Sequence, residues 1–238
     1  MIGVAGPGGV VVARRDSPRS RITDWSPVTV GSTRGRVTLA RDRTPELIVI
    51  GCSLGGMHAL QVILSKLSEG FCVPIAVAQH RHKKSNEGLP AYFRRETDLK
   101  VVDAEDKQWI QPGHVYLAPA DYHLLIERNG ARGELSLSVD ERVHYSRPSI
   151  DVLFESAADA YRDRLIGIVL TGSNDDGAQG AARIKARGGV VIAQDPATAE
   201  APAMPRAAIE AAHVDQILRL EEIAPFLTEV CQTTVSHS

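Results

Sequence analysis

The chain has 238 residues, enough for one domain of ordinary size or one domain with a tail. Hydrophobic residues make up 43% of it and charged residues 24%, a balance typical of proteins that bury a core. A formal net charge of −2 argues against nucleic-acid binding, and the lack of any run of about 18 apolar residues argues against membrane insertion. Three scattered cysteines fit neither a disulfide framework nor a zinc site and favour a cytoplasmic protein.

The N-terminal segment differs from the rest in composition. Residues 1–45 contain eight arginines and three aspartates among Gly, Pro, Ser and Thr, which leaves an acidic remainder. We predict a disordered basic tail over 1–44, with one candidate hairpin formed by 28–30 and 37–39. The folded domain is expected at 45–232, followed by a short tail at 233–238.

Short apolar runs alternate with segments of helical spacing from residue 46 onward. The run LIVIG at 47–51 has the composition of a strand buried on both faces of a parallel sheet. Further strands are predicted at 73–79, 101–102, 114–119, 165–170 and 188–194. Helices are predicted after Gly56, near 87–96, from an N-cap at Ser149 to about Tyr161, after Gly177, from Pro205 and near 221–230.

A β-hairpin is predicted where alternating runs at 122–127 and 134–139 flank Asn129-Gly130, a strong turn signal. The alternation of strands and helices elsewhere predicts an α/β fold. We expect a doubly wound, mostly parallel sheet with helices on both faces and this one antiparallel hairpin.

The first strand runs into a glycine-rich turn that carries Ser53. The glycines allow a sharp turn, and Ser53 then projects near the free N–H groups of the following helix, which suit an oxyanion. The string Gly51-Cys52-Ser53-Leu54-Gly55 matches the G-x-S-x-G nucleophile elbow. Glycine-rich turns also bind phosphates, but neither the G-x-G-x-x-G spacing nor a P-loop lysine is present. By itself the motif leaves a purely structural serine open.

Two further loops follow buried strands and carry groups that would complement a serine nucleophile. His80 directly follows the strand at 73–79, and the loop TGSNDDGA at 171–178 follows the strand at 165–170. Open α/β sheets place their sites at such strand ends. A serine needs a base to take its proton, and that base needs a carboxylate to fix its tautomer. Asp175 and Asp176 are the candidate carboxylates, and either would also serve as a helix cap.

Six strings carry a family resemblance that covers roughly residues 46–230: VIGCSLGG (49–56), VAQH (77–80), VYLAPADYH (115–123), RPSIDVLF (147–154), LTGSNDDGAQG (170–180) and AQDPATAEAPAMPRAAI (193–209). In this order they resemble the chemotaxis protein-glutamate methylesterases, the CheB family. The resemblance implies that residues 45–232 form a cytoplasmic methylesterase domain of signal transduction. The implied substrates are glutamate γ-methyl esters on receptors, and the same chemistry would deamidate glutamine.

The resemblance also implies a role for individual residues. Ser53 falls on the nucleophile, His80 on the base, and Asp176 rather than Asp175 on the acid. Backbone N–H groups at Leu54 and Ser173 fall on the oxyanion donors, and neither cofactor nor metal is implied. The sequence departs from the family pattern at Leu54, where threonine is usual, and at Asn174-Asp175, where a Gly-x step precedes the aspartate.

The expected partner is a methylated receptor, an acidic helical protein. The basic run after His80 would steer such a substrate through Arg81, Lys83 and Lys84, or would simply be a solvated loop. The family commonly carries a receiver domain before the esterase, for which 45 residues are too few. We therefore expect activity that is either unregulated or controlled by a separate regulator.

Two other functions remain open at this point. A general α/β-type serine esterase acting on small esters would use Ser53, Asp195 and His213 in the chain order Ser…Asp…His and would leave His80 without a role. A catalytically inactive binding module of the same fold would hydrolyse no activated ester. Cys52 is expected to be a packed core thiol, because neighbouring side chains on an extended segment point apart.

Overall fold

The computed structural model describes residues 44–81 and 88–232. The predicted tails and the candidate hairpin within 28–39 lie outside these residues. Nine strands were found in the described part: β1 (Leu47–Cys52), β2 (Ile75–Gln79), β3 (Lys100–Asp103), β4 (His114–Leu117), β5 (His123–Asn129), β6 (Arg132–Ser138), β7 (Leu165–Val169), β8 (Val190–Gln194) and β9 (Gln216–Leu218). The helices are α1 (Gly56–Leu64), α2 (Leu89–Phe93), α3 (Ile150–Tyr161), α4 (Ala178–Ala186), α5 (Ala203–Ala212) and α6 (Leu220–Gln232), with a 3-10 turn at Arg162–Arg164.

Seven strands form one parallel sheet in the order β3-β4-β2-β1-β7-β8-β9. On one side of β1 the chain adds β2, then the edge strand β3, and then β4 between these two; it returns to build the other half from β7. The strand order thus reverses beside β1. In open α/β sheets, such a switch point leaves a crevice at the carboxyl ends of the strands, where ligands bind.

Strand β1 is buried on both faces because successive side chains point to opposite sides of the sheet. Ile48, Ile50 and Cys52 belong to a core cluster with α1, α2 and α6. Leu47 and Val49 belong to a second cluster with α3, α4, α5 and the hairpin. Two cores therefore fix the central strand, which ends at Cys52, directly before Ser53.

The predicted doubly wound sheet is confirmed, together with a separate antiparallel hairpin of β5 and β6. Its turn lies one residue later than expected, since Asn129 still pairs with Arg132 and the loop is Gly130-Ala131. Gly130 has φ +64°, the left-handed conformation that glycine adopts at little cost.

Two elements differ from the sequence prediction. Strand β9 is missing from the prediction, because three residues at a sheet edge have no recognisable period, and only pairing with β8 defines them. Helix α5 begins at Ala203 rather than Pro205. Pro205 is tolerated inside the first turn, where backbone N–H groups have no partner within the helix. Among the described residues no helix is both long and apolar enough to cross a membrane.

Candidate active site

The chain turns sharply at the end of β1, and Ser53 is the first residue of that turn. Its N–H donates to the Thr171 carbonyl at 2.9 Å. Gly55 has φ +78°, which disfavours any residue with a side chain, and α1 starts at the next residue. Ser53 therefore lies, partly exposed, at the carboxyl end of a buried strand and beside a helix N-terminus.

His80 occupies the equivalent position on the neighbouring strand. Strands β1 and β2 are parallel, with Cys52 opposite Gln79. The His80 N–H donates to the Cys52 carbonyl at 3.0 Å. Because paired strands lie about 4.8 Å apart, this register brings His80 alongside Ser53 at the same edge of the sheet.

The loop after β7 reaches Ser53 from the opposite side. A Cβ atom at Gly172 would lie 3.0 Å from Ser53 Cβ and 2.4 Å from Met204 Cε. Both distances are shorter than ordinary van der Waals contact, so a side chain at this position would push against Ser53 and Met204. The close approach brings the 171–177 loop within reach of the serine.

Asp176 ends this loop as a fully buried carboxylate with four donors. Its Oδ2 lies 2.7 Å from His80 Nε2 and accepts from the Ile150 N–H at 2.8 Å. Its Oδ1 accepts from Ser149 Oγ at 3.0 Å and from the Asp151 N–H at 2.9 Å. Asp176 is thus clamped at the N-terminus of α3, where the helix dipole also favours negative charge.

The charge state of Asp176 follows from these contacts. Burial alone would raise its pKa, but the hydrogen bonds from His80 and from the Asp151 and Ile150 backbone outweigh burial, and the pKa of Asp176 lies below its ordinary value. An ionised carboxylate can only accept, so Nε2 of His80 carries the proton in this contact. In the neutral tautomer that this contact favours, Nδ1 is the ring nitrogen with the lone pair and can act as a base.

The peptide between Ser53 and Leu54 is held in a fixed orientation. The Ser53 carbonyl accepts from the Gly56 N–H at 2.8 Å. In a trans peptide the N–H points away from the carbonyl, so this bond aims the Leu54 N–H to the other side. No acceptor for the Leu54 N–H exists among the described residues.

The peptide between Gly172 and Ser173 is held in the same way. The Gly172 carbonyl accepts from the Met204 N–H at 3.0 Å, at the start of α5. The Ser173 N–H is thereby aimed away from α5 and likewise has no acceptor within 44–81 or 88–232. The two predicted oxyanion donors thus lie on tied peptides that flank Ser53.

A cleft of about 280 Å³ opens beside His80 and is rich in cationic side chains. Its walls include Arg81, Arg142, Tyr145 and Arg147. The side chain of Arg81 is only 7% exposed, with Nη2 donating to the Ala118 carbonyl at 2.6 Å.

The position of Arg81 suits an internal anchor better than a steering cation. The docking role predicted for Arg81 is not tested by this contact and stays a prediction. Lys83 and Lys84 lie outside the described residues, so the prediction for them stands as made.

The rival triad is not brought together. Asp195 follows β8 at the carboxyl edge, where its Oδ1 accepts from the Ala197 N–H. His213, however, ends α5 and precedes β9. A crossover helix runs antiparallel to its strands, so His213 lies at the opposite edge of the sheet from Ser53.

Cys52 is fully buried in the core, and burial raises the pKa of its thiol far above the ordinary range. The interpretation as a core thiol is therefore confirmed. The described residues contain no group of three His, Cys, Asp or Glu side chains arranged to hold a metal ion.

Sequence reasoning missed the residues that hold Asp176. Ser149 was correctly predicted as the N-cap of α3, where its Oγ accepts from the Val152 N–H. Its second bond, to a carboxylate 27 residues later, has no signal in the local sequence. The only available signal was the string RPSIDVLF among the family motifs.

A hydroxyl beside an imidazole–carboxylate pair is the chemistry of serine hydrolases, and comparison with known proteins decides which kind. The family model "CheB methylesterase" matches residues 48–227. The chain belongs to this family, and it is a methylesterase of the serine-hydrolase class.

Known relatives agree with this assignment. A protein of Leptospira interrogans, named provisionally as a protein-glutamate methylesterase/protein-glutamine glutaminase, is 47% identical over 192 residues, which are 81% of this chain and 98% of that protein. The Thermotoga maritima protein of that name is 34% identical over 185 residues, 78% of this chain and 54% of its own length. The crystal structure of the Thermotoga maritima CheB methylesterase catalytic domain superposes with a TM-score of 0.76 at 33% identity, covering 79% of this chain and 99% of that one.

Proposed function

We propose that this protein is a protein-glutamate O-methylesterase in which Ser53, His80 and Asp176 form a nucleophile, a base and an orienting acid. The observation that carries the proposal is the 2.7 Å contact between His80 and the buried, ionised Asp176. This contact lies one strand away from a serine at a nucleophile elbow. We assign the activity to residues 45–232, the region that contains the family match.

Ser53 Oγ attacks the carbonyl carbon of the γ-methyl ester while His80 Nδ1 takes its proton. Asp176 keeps the other proton on Nε2 and stabilises the imidazolium that forms. The oxyanion that develops on the former carbonyl oxygen accepts hydrogen bonds from the Leu54 and Ser173 N–H groups. These donors are oriented before the reaction begins, so they need no costly reorganisation.

The tetrahedral intermediate then expels the methoxy group, which takes the proton from His80 and leaves as methanol. Water attacks the resulting acyl-enzyme and gives a proton to His80. Collapse of the second intermediate breaks the acyl bond and returns that proton to Ser53, leaving a free glutamate. A glutamine side chain would follow the same route with ammonia as the leaving group, in keeping with the names of the relatives.

The proposed partner is a receptor that carries methylated glutamates on an acidic helix. Support comes from the family assignment and from the exposed guanidinium of Arg142 in the cleft beside His80, which complements acidic side chains. We further propose that a separate regulator controls the activity of this site.

Methanol release from methylated receptor membranes tests the proposal. The purified chain should release methanol, and Ser53→Ala should lower kcat by several orders of magnitude, because members of a triad act as a unit. Ser65→Ala, which alters an exposed serine just after α1, serves as the matched control and should retain full activity. A folded wild-type chain that hydrolyses neither receptor esters nor an activated small ester would establish the inactive binding module instead.

A further inference from the structure

Helices α3 and α4 cap each other: an aspartate at the N-terminus of each helix accepts hydrogen bonds from backbone N–H groups at the N-terminus of the other. Asp176, two residues before α4, accepts from the first two N–H groups of α3. Asp151, in the first turn of α3, does the reverse. Its Oδ1 accepts from the Gly177 N–H at 2.9 Å and from the Gly180 N–H at 2.7 Å, at the start of α4.

Helix α4 depends on this exchange because it has no side-chain cap of its own. Its N-cap residue is Gly177, which has no side chain and adopts φ +98°. The first N–H groups of a helix must find acceptors outside it, and Asp151 provides one acceptor oxygen for two of them. Gly180 makes the approach possible, since a Cβ there would lie 2.4 Å from Phe154 Cβ.

The hydrogen bond from the Gly177 N–H connects Asp151 to the proposed triad. Gly177 is joined by one peptide bond to Asp176, so movement of its N–H moves the Asp176 backbone as well. The same short loop carries Ser173, one of the proposed oxyanion donors. Loss of this anchor would therefore disturb both the acid and the oxyanion site.

We propose that Asp151 is a positioning residue that holds the 171–177 loop, and with it Asp176 and the Ser173 N–H, in the geometry required for ester hydrolysis. The proposal rests on the triad described above. Among the described residues, no hydrogen bond joins the Asp151 carboxylate to His80 or Ser53, and this carboxylate acts through the N-terminus of α4.

The environment of Asp151 is costly for a purely structural side chain. The residue is 4% exposed, its Oδ2 has no hydrogen-bond donor among the described residues, and the imidazole Nε2 of His144 lies 3.4 Å from that oxygen. Burial raises the pKa of Asp151 to about 6, a change opposed by the Gly180 N–H and strengthened by the charge of Asp176. Buried carboxylates of this kind concentrate at functional sites.

Three variants test the proposal in the full chain: Asp151→Ala, Asp151→Asn and Asp151→Glu. The alanine variant removes the acceptor and should lower kcat by about 10²-fold, the cost of a misplaced catalytic group, with KM unchanged. The asparagine variant keeps an acceptor oxygen in place and should retain kcat within a few-fold. The glutamate variant keeps the charge but displaces it by one methylene, and should resemble alanine.

Glu155→Gln is the matched control, because it neutralises an exposed carboxylate one turn further along α3. A second readout is the proton NMR signal of the hydrogen bond between His80 and Asp176. The signal should persist in the asparagine and control variants and disappear in the alanine variant. If the alanine variant does not fold, the kcat of the asparagine variant is compared with that of the glutamate variant to test the proposal.

Full kcat in a folded alanine or glutamate variant would overturn the proposal, and so would an asparagine variant as impaired as alanine. A wild-type chain without esterase activity would instead overturn the function proposed above. In that case the NMR signal still reports whether Asp151 positions Asp176.

Discussion

The turn that carries Ser53 and the loop that carries Asp176 are held in different ways. Ser53 takes its position from β1 and from glycines within three residues of it. Asp176 takes its position from α3, through donors at Ser149, Ile150 and Asp151 that lie 25–27 residues earlier in the chain. The nucleophile is therefore positioned largely by local structure, with one long-range bond from its N–H to the Thr171 carbonyl, whereas the acid is positioned by tertiary contacts throughout. We expect distant substitutions to impair the acid far more than the nucleophile.

Among the variants that test this comparison, Asp176→Asn should have the largest effect on kcat. It favours the wrong imidazole tautomer, and kcat should fall by about 10⁴-fold while KM changes little. Asp175→Asn is the matched control, since its carboxylate is adjacent in sequence but 70% exposed. Steady-state methanol release measures both. A costly Asp175 and a tolerant Asp176 would show that the acid is assigned one residue too late.

Ser149→Ala should have the next largest effect, because it removes one donor to Asp176 and the N-cap of α3 together. We expect a loss of about 1 kcal/mol in unfolding free energy and a fall of about tenfold in kcat, equivalent to about 1.4 kcal/mol in the barrier.

Ser156→Ala separates the two effects of the Ser149 variant. Ser156 also lies on α3, but its Oγ accepts from the Ile126 N–H of the hairpin at 3.1 Å, away from the triad. Its loss should lower stability without lowering kcat. Urea unfolding measures the stability of both variants, and methanol release measures their kcat. Equal kcat values in the two folded variants would show that Ser149 does not help to position Asp176.

The free energy of unfolding should depend on pH in opposite directions through Asp151 and Asp176. The folded state raises the pKa of Asp151 to about 6, so its stabilising contribution is complete below the ordinary value of 3.8 and is lost as the pH rises to about 6. The folded state lowers the pKa of Asp176, so its contribution is present at neutral pH and lost as the pH falls through that lowered value.

Asp151→Asn removes the first of these titrations. The stability of this variant relative to wild type should therefore increase by about 3 kcal/mol between about pH 4 and pH 7. The titratable groups that face Asp151 are Asp176, His144 and Glu155. Urea unfolding at both pH values measures the difference. A pH-independent difference would show that Asp151 ionises normally in the folded protein.

The smallest effect is expected at the basic run after His80. The double variant Lys83→Glu/Lys84→Glu should lower kcat/KM on receptor membranes, and the deficit should shrink with added salt, which screens surface charges beyond about 8 Å at physiological ionic strength. A small uncharged ester should be hydrolysed as before. The matched control is Lys66→Glu/Lys100→Glu, which makes the same charge change at the amino edge of the sheet. Equal losses on both substrates would make the run structural.

The strongest sequence predictions concern elements with a clear period or composition. The buried strands at 47–51 and 165–170 were predicted almost to the residue, because parallel strands covered on both faces require continuous apolar runs. The start of α5 and the edge strand β9 were not, because a proline within a first turn and a three-residue strand are decided by packing rather than propensity.

The sequence by itself determined the sheet, the elbow at Ser53 and, through family motifs, the candidate triad. These features depend on local patterns: apolar runs, glycine spacing and residues at strand ends. Only the tertiary structure decided that His80 presents Nε2 to Asp176, that Arg81 is an internal anchor and that α3 and α4 exchange carboxylates. Such contacts join residues far apart in the chain, and their geometry depends on how the loops and helices at one edge of the sheet pack against each other, which no local pattern records.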